Sequence, residues 1–210
     1  MKPNAKKSGA NVRKLDLFEL IYKINEISME EKPIIVGSQA IHAITEDLPE
    51  IARKSIECDF LFIGGKTETR TEINKKLGVF SNFQIEHGFY ADALGLATVV
   101  LPDGWRERLQ PFLDEKDETI AYCAEIHDIA VSKLIAGREK DFQFLTDAFR
   151  LELISVEEFI SRLRIVETMP QSAVLIDRLE KTENYLSRQK IENKLILPIR
   201  EFLKELRTKS

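Results

Sequence analysis

Glu57 and Asp59 are the residues of this chain whose types and spacing point most directly to chemistry. They lie in Ser55-Ile56-Glu57-Cys58-Asp59-Phe60-Leu61-Phe62-Ile63, an apolar, β-branched and aromatic run closed by Gly64-Gly65, which predicts a strand. Side chains alternate along a strand, so Glu57, Asp59, Leu61 and Ile63 share one face and Ile56, Cys58, Phe60 and Phe62 the other. Two carboxylates one pleat apart on one face are placed to hold Mg²⁺ jointly. A cation held in that way neutralises a triphosphate and activates an attacking oxygen. An acidic pair on a strand is otherwise most often a plain solvated face. Here both faces are apolar, and carboxylates on a strand so enclosed call for a metal or a partner.

A second feature precedes them. Pro33-Ile34-Ile35-Val36-Gly37 is a short buried-strand pattern ending at glycine, and Ser38 follows as the start of a short helix over Gln39 to Thr45. Backbone N–H groups and a hydroxyl at such a junction suit a phosphate. Other candidates are weaker. His42 reads as core, His87 as structural or solvated, and His127 as a helix cap. Trp105 with Arg106 and Arg108 fits an aromatic lid, or a grip on a nucleic-acid end. The sequence holds no G-x-S-x-G elbow, no H-E-x-x-H and no Walker A motif.

The elements that must position these residues follow from periodicity. Leu17, Phe18, Leu20, Ile21, Ile24 and Ile27 recur at helical spacing, predicting an amphipathic helix over 15–28. Thr67 to Leu77 reads as a surface helix stopped by Gly78, residues 83–92 and 97–101 as two further strands, and Ile120 to Cys123 as a last short strand. From His127 onward four segments carry helical patterns: 127–150, 156–166, 172–187 and 190–208. The organisation expected is a mobile basic tail over 1–14, an α/β domain over 15–125 and a helical domain over 126–210.

At this point the sequence resembles a known group. Gly37-Ser38 followed by Glu57-Cys58-Asp59 is similar to the glycine-serine and paired-acid signature of the polymerase beta-like nucleotidyltransferase superfamily. The run from His127 to Asp141 resembles a helix segment of bacterial AbiEii/MenT-like nucleotidyltransferases, in which an aspartate precedes a lysine by five positions and a basic-x-basic-Asp stretch follows; here those are Asp128, Lys133, Arg138, Lys140 and Asp141. Those relatives are the toxin halves of toxin–antitoxin pairs. The resemblance covers residues 15–150. It implies that Gly37 and Ser38 bind nucleotide phosphates, that Glu57 and Asp59 ligate magnesium, and that Lys133, Arg138 and Asp141 serve nucleotide binding. It also implies a third, catalytic carboxylate from a later strand. Asp92, in Phe89-Tyr90-Ala91-Asp92, is the best-placed candidate and Asp103 a weaker one. Glu57 departs from the usual Asp at the first position.

Composition bounds these readings. A net charge of −4 argues against a surface that coats nucleic acid generally. No apolar run approaches the ~20 residues of a membrane span, no secretory leader opens the sequence, and the distant cysteines, Cys58 and Cys123, read as reduced thiols. Together these give the expectation of a cytoplasmic protein. The fold class expected is α+β, a small mixed sheet of nucleotidyltransferase type with flanking helices and then a C-terminal helical bundle. The function expected is Mg²⁺-dependent transfer of an NMP from an NTP to a hydroxyl on RNA, a tRNA end or a protein, with an antitoxin as possible partner. The alternative is a catalytically inactive relative that binds nucleotide or a protein.

Overall fold

The computed structural model describes residues 12–29, 31–45, 52, 54–64, 66–167, 170–189 and 193–209. Most of the basic tail and the stretch around Pro49 and Arg53 lie outside them. The chain divides into two compact units, one of Met1–Thr98 with Gln110–Cys123, the other of Val99–Leu109 with Ala124–Ser210.

The first unit is built on a five-stranded mixed sheet. Its strands are β1 (Ile34–Ile35), β2 (Glu57–Leu61), β3 (Tyr90–Leu94), β4 (Gln110–Leu113) and β5 (Thr119–Cys123), in the order β3-β2-β1-β5-β4. β1 is only two residues long but central, antiparallel to β2 and parallel to β5, and both isoleucines are buried. Helices α1 (Lys14–Ser28) and α2 (Thr67–Leu77) pack on the sheet. α1 inserts Leu17, Leu20, Ile21 and Ile24, all fully buried, and Asn25 donates to the Ile120 carbonyl at 2.9 Å, tying the helix to β5. Burial of such an apolar stripe is what makes a helix of this length stable. On α2, Asn74 exchanges two hydrogen bonds with the backbone of Ala93, 2.7 Å from the Ala93 N–H and 3.2 Å to its carbonyl, and so covers part of the free edge of β3.

Two sequence expectations fail in this unit. Residues 82–87 form helix α3 (Asn82–His87), not a strand. Ser81 accepts from the Gln84 N–H at 3.2 Å as its cap, Phe83 and His87 stack one turn apart at 4.2 Å, and Gly88 at φ 82° closes it in the left-handed region. The alternation of Phe83, Ile85 and Phe89 imitates a strand because α3 is too short to show its own period; the strand begins only at Tyr90. Residues 97–101 are likewise not a strand, for 96–98 form a single 3₁₀ turn with Thr98 bonded to the Gly95 carbonyl at 3.0 Å.

The second unit holds α4 (Ile126–Ala136), α5 (Glu139–Arg150), α6 (Val156–Arg164), α7 (Ser172–Arg188) and α8 (Asn193–Lys209). α4 packs against α5 and α6, α5 against α7, and α8 against both α6 and α7. The continuous helical pattern over 127–150 breaks at Gly137, whose φ of 64° caps α4 and turns the chain into α5. The architecture is thus a mixed α+β fold with C-terminal helices.

Candidate functional site

The site grows from the pairing of β2 with β3. The two strands are parallel, with Glu57 opposite Tyr90 and Asp59 directly opposite Asp92. Partners across a pair point to the same face, so alternation places Glu57, Asp59, Tyr90 and Asp92 together. The residues between them, Cys58, Phe60, Ala91 and Ala93, are all buried. One carboxylate oxygen each from Glu57, Asp59 and Asp92 lies within 4.8 Å of the others, and all three residues are half-buried. Strand pairing brings Asp59 and Asp92 side by side, and the two-residue repeat of the strand puts Glu57 on the same face.

Glycine at position 37 is a steric necessity. Val36 N–H extends the ladder to the Asp59 carbonyl at 3.0 Å, which brings Gly37 alongside the Asp59 side chain. A Cβ at position 37 would stand 2.0 Å from Asp59 Oδ2, well inside the 3.0 Å at which a Cβ meets another heavy atom. The backbone at Gly37 is extended and unstrained, so closeness to the carboxylate, not conformation, demands the missing side chain. Ser38 is buried at the start of the 3₁₀ turn Ser38–Ala43, whose cap position is Gly37 and not Ser38 as expected. Gln39, fully buried one residue on, donates to the carbonyls of Ala52 and Ser55 at 3.1 and 2.8 Å and ties this turn to the approach to β2.

Electrostatics reflect the crowding. Burial, and after it the charge of Glu57, hold the Asp92 carboxyl above its ordinary value. Tyr90 donates its hydroxyl to Glu57 Oε1 at 3.2 Å. Burial first, then the charge of Glu57, push the Tyr90 phenol up to about 12, so it remains a donor at neutral pH. The donor set fits a hard divalent cation: three carboxylates and no sulfur or imidazole.

The second group of expected residues meets within its own unit. Lys133 Nζ lies 3.3 Å from Asp141 Oδ1, and Arg138 forks the same carboxylate, Nε to Oδ2 at 2.7 Å and Nη2 to Oδ1 at 3.2 Å. Asp141 is fully buried and Lys133 nearly so, with the ammonium 5.6 Å from the centre of the Phe144 ring. Asp141 also accepts from the Arg138 backbone N–H at 3.1 Å, completing a capping box for α5. Burial alone would raise the Asp141 carboxyl; Arg138 and Lys133 outweigh it and hold it below its ordinary value. Lys133 and Lys140 lie on different helices, because Gly137 ends α4 and turns the chain into α5.

Asp128 stands apart from this cluster. It is fully buried and forked by Arg108, Nε and Nη2 each 2.9 Å from a carboxylate oxygen. Arg108 also donates to the Asp103 carbonyl at 2.8 Å, so the pair fastens the 99–109 segment to α4. Asp103 itself is exposed at the turn. His127 is held at both ring nitrogens: Nδ1 lies 2.7 Å from Glu125 Oε1, and Nε2 accepts from the Ser155 N–H at 3.0 Å. The α4 cap is Glu125, which accepts from the His127 N–H.

Tyr90 is a residue whose role the sequence reading left unassigned, and Arg108, grouped there with Trp105 and Arg106, instead forks Asp128. The repeat of the spacing, Glu57-x-Asp59 and Tyr90-x-Asp92, was a usable signal for the first.

A family model described as a nucleotidyltransferase of unknown function (DUF6036) matches residues 14–192 of the chain. No curated protein and no solved structure matches it.

Proposed function

Because the chain belongs to this nucleotidyltransferase family, we propose that it transfers the NMP of an Mg²⁺-bound NTP to a hydroxyl of an RNA acceptor, and that Glu57, Asp59 and Asp92 carry the reaction. The observation that supports this most is the convergence of the three carboxylates from two parallel strands beside a glycine with no room for a side chain. Bound there, a divalent cation would supply charge neutralisation of the triphosphate and of the attacking oxygen.

In this reading Glu57 and Asp59 hold the cation, and the bare backbone at Gly37-Ser38 lets the phosphates approach. Asp92, whose carboxyl burial holds above its ordinary value, takes the proton of the acceptor hydroxyl. The acceptor oxygen bonds to the α-phosphorus, the bond from that phosphorus to the bridging oxygen breaks, and pyrophosphate leaves with the electron pair. Lys133 and Arg138, engaged with Asp141, are assigned to holding α4 and α5 together, and their part in nucleotide binding is indirect. Preference for a tRNA end, and action as the toxin of a toxin–antitoxin pair, rest on the sequence resemblance alone.

The test uses NTPs labelled at the α or the γ phosphate, incubated with Mg²⁺, the protein and total RNA. Label from the α position should pass to RNA and label from the γ position to pyrophosphate, both abolished by Asp59→Ala. Retention of γ label on the acceptor would mean phosphoryl transfer instead, and no transfer to RNA would overturn the proposed RNA acceptor.

A further inference from the structure

Glutamate makes a looser metal ligand than aspartate. It has one more rotatable bond between backbone and carboxylate, and immobilising that bond costs entropy. A site that begins with Glu57 therefore needs something to fix it. Directly across the strand pair stands Tyr90, whose hydroxyl donates to Glu57 Oε1 at 3.2 Å. The tyrosine is half-buried on a backbone locked into the sheet, and an aromatic side chain with two torsions is a stiff support. Its reach matches the longer acid: an aspartate at position 57 would draw the carboxylate back by one methylene, out of the hydroxyl's range.

We propose that Tyr90 is a positioning residue for the metal site, and that the Tyr90–Glu57 pair does the work of a single, shorter aspartate. The phenol's hydrogen bond fixes the orientation of the carboxylate that would meet the cation. Hydrogen bonds of this kind to ligating carboxylates typically contribute 10–100-fold to metal affinity. This inference rests on the metal-dependent reading above and adds to it a residue that acts through Glu57.

The experiment is a calorimetric titration of Mn²⁺ into the full-length wild type, Tyr90→Phe, Glu57→Asp and the double variant, with thermal melts to verify folding. Tyr90→Phe removes one oxygen atom and no volume, so it should melt like wild type in chelator yet bind Mn²⁺ about 10–100-fold more weakly. In the Glu57→Asp background the same change should have no further effect. Equal Mn²⁺ affinity for wild type and Tyr90→Phe would overturn the proposal. So would an equal loss in both backgrounds, which would mean that Tyr90 acts through packing and not through Glu57. Absence of Mn²⁺ binding by the wild type would overturn the metal-dependent reading itself, a result distinct from either of these.

Discussion

Three carboxylates drawn within 4.8 Å of one another carry a cost in the absence of a cation. Like charges at that range repel, and burial adds to the penalty for Asp92. A residue kept at such a cost is the stability–function conflict expected of a binding site. The sign follows from the raised carboxyl: the folded state binds the Asp92 proton more tightly than the unfolded chain, so this group opposes folding once ionised and the opposition fades as pH falls. Asp92→Asn should therefore raise the melting temperature in EDTA at pH 7, by about 2–4 °C for ~1 kcal/mol. Stabilisation by saturating Mg²⁺, which reaches ~2.7 kcal/mol at a hundredfold excess over Kd, should persist in this variant and be lost in Asp59→Ala. Differential scanning calorimetry with and without metal checks both halves. At this scale the sequence was informative about Glu57 and Asp59, because the two-residue period of a strand is a local property. It ranked Asp92 above Asp103, but the reason appears only in the strand register, which puts Asp92 opposite Asp59.

Among the elements, α4 and α5 show how a motif changes meaning once its register is known. Read as one helix, residues 127–150 would range Lys133, Arg138 and Asp141 along a surface. The left-handed Gly137 instead folds α5 back so that Asp141 receives both cations and caps its own helix. The carboxyl is held below its ordinary value of 3.8, so its contribution to stability is full above that value and is lost as pH falls through the lower folded pKa. Asp141→Asn should cost on the order of 3 kcal/mol at pH 7, the usual penalty for breaking a buried ion pair. The difference from wild type should shrink as unfolding is measured from pH 5 down toward pH 2. A difference constant across that range would show that the charge of Asp141 contributes nothing beyond its cap. Long helices such as α1 were readable from their apolar stripes. The six residues of α3 were not, since a single turn and a half leaves no period to detect.

For the whole molecule, the sequence reading captured the order of a mixed sheet first and helices after, because hydrophobic period changes visibly near residue 125. It did not foresee β4, whose Gln110-Pro111-Phe112-Leu113 is a strand mainly because β5 pairs with it. Nor did it foresee that residues 99–109 join the second unit, anchored there by Arg108 on Asp128. Both outcomes depend on contacts between distant positions, which no local pattern encodes. What the fold delivers is a parallel pair of strands at one edge of the sheet carrying the acids. The most direct test of their purpose is calorimetric titration of each NTP, with and without Mg²⁺, into the wild type and a Glu57→Ala/Asp59→Ala variant of unchanged melting behaviour. The account predicts Mg²⁺-dependent binding of at least one NTP by the wild type and none by the variant. Equal binding by both proteins, or no binding by a folded wild type, would contradict it.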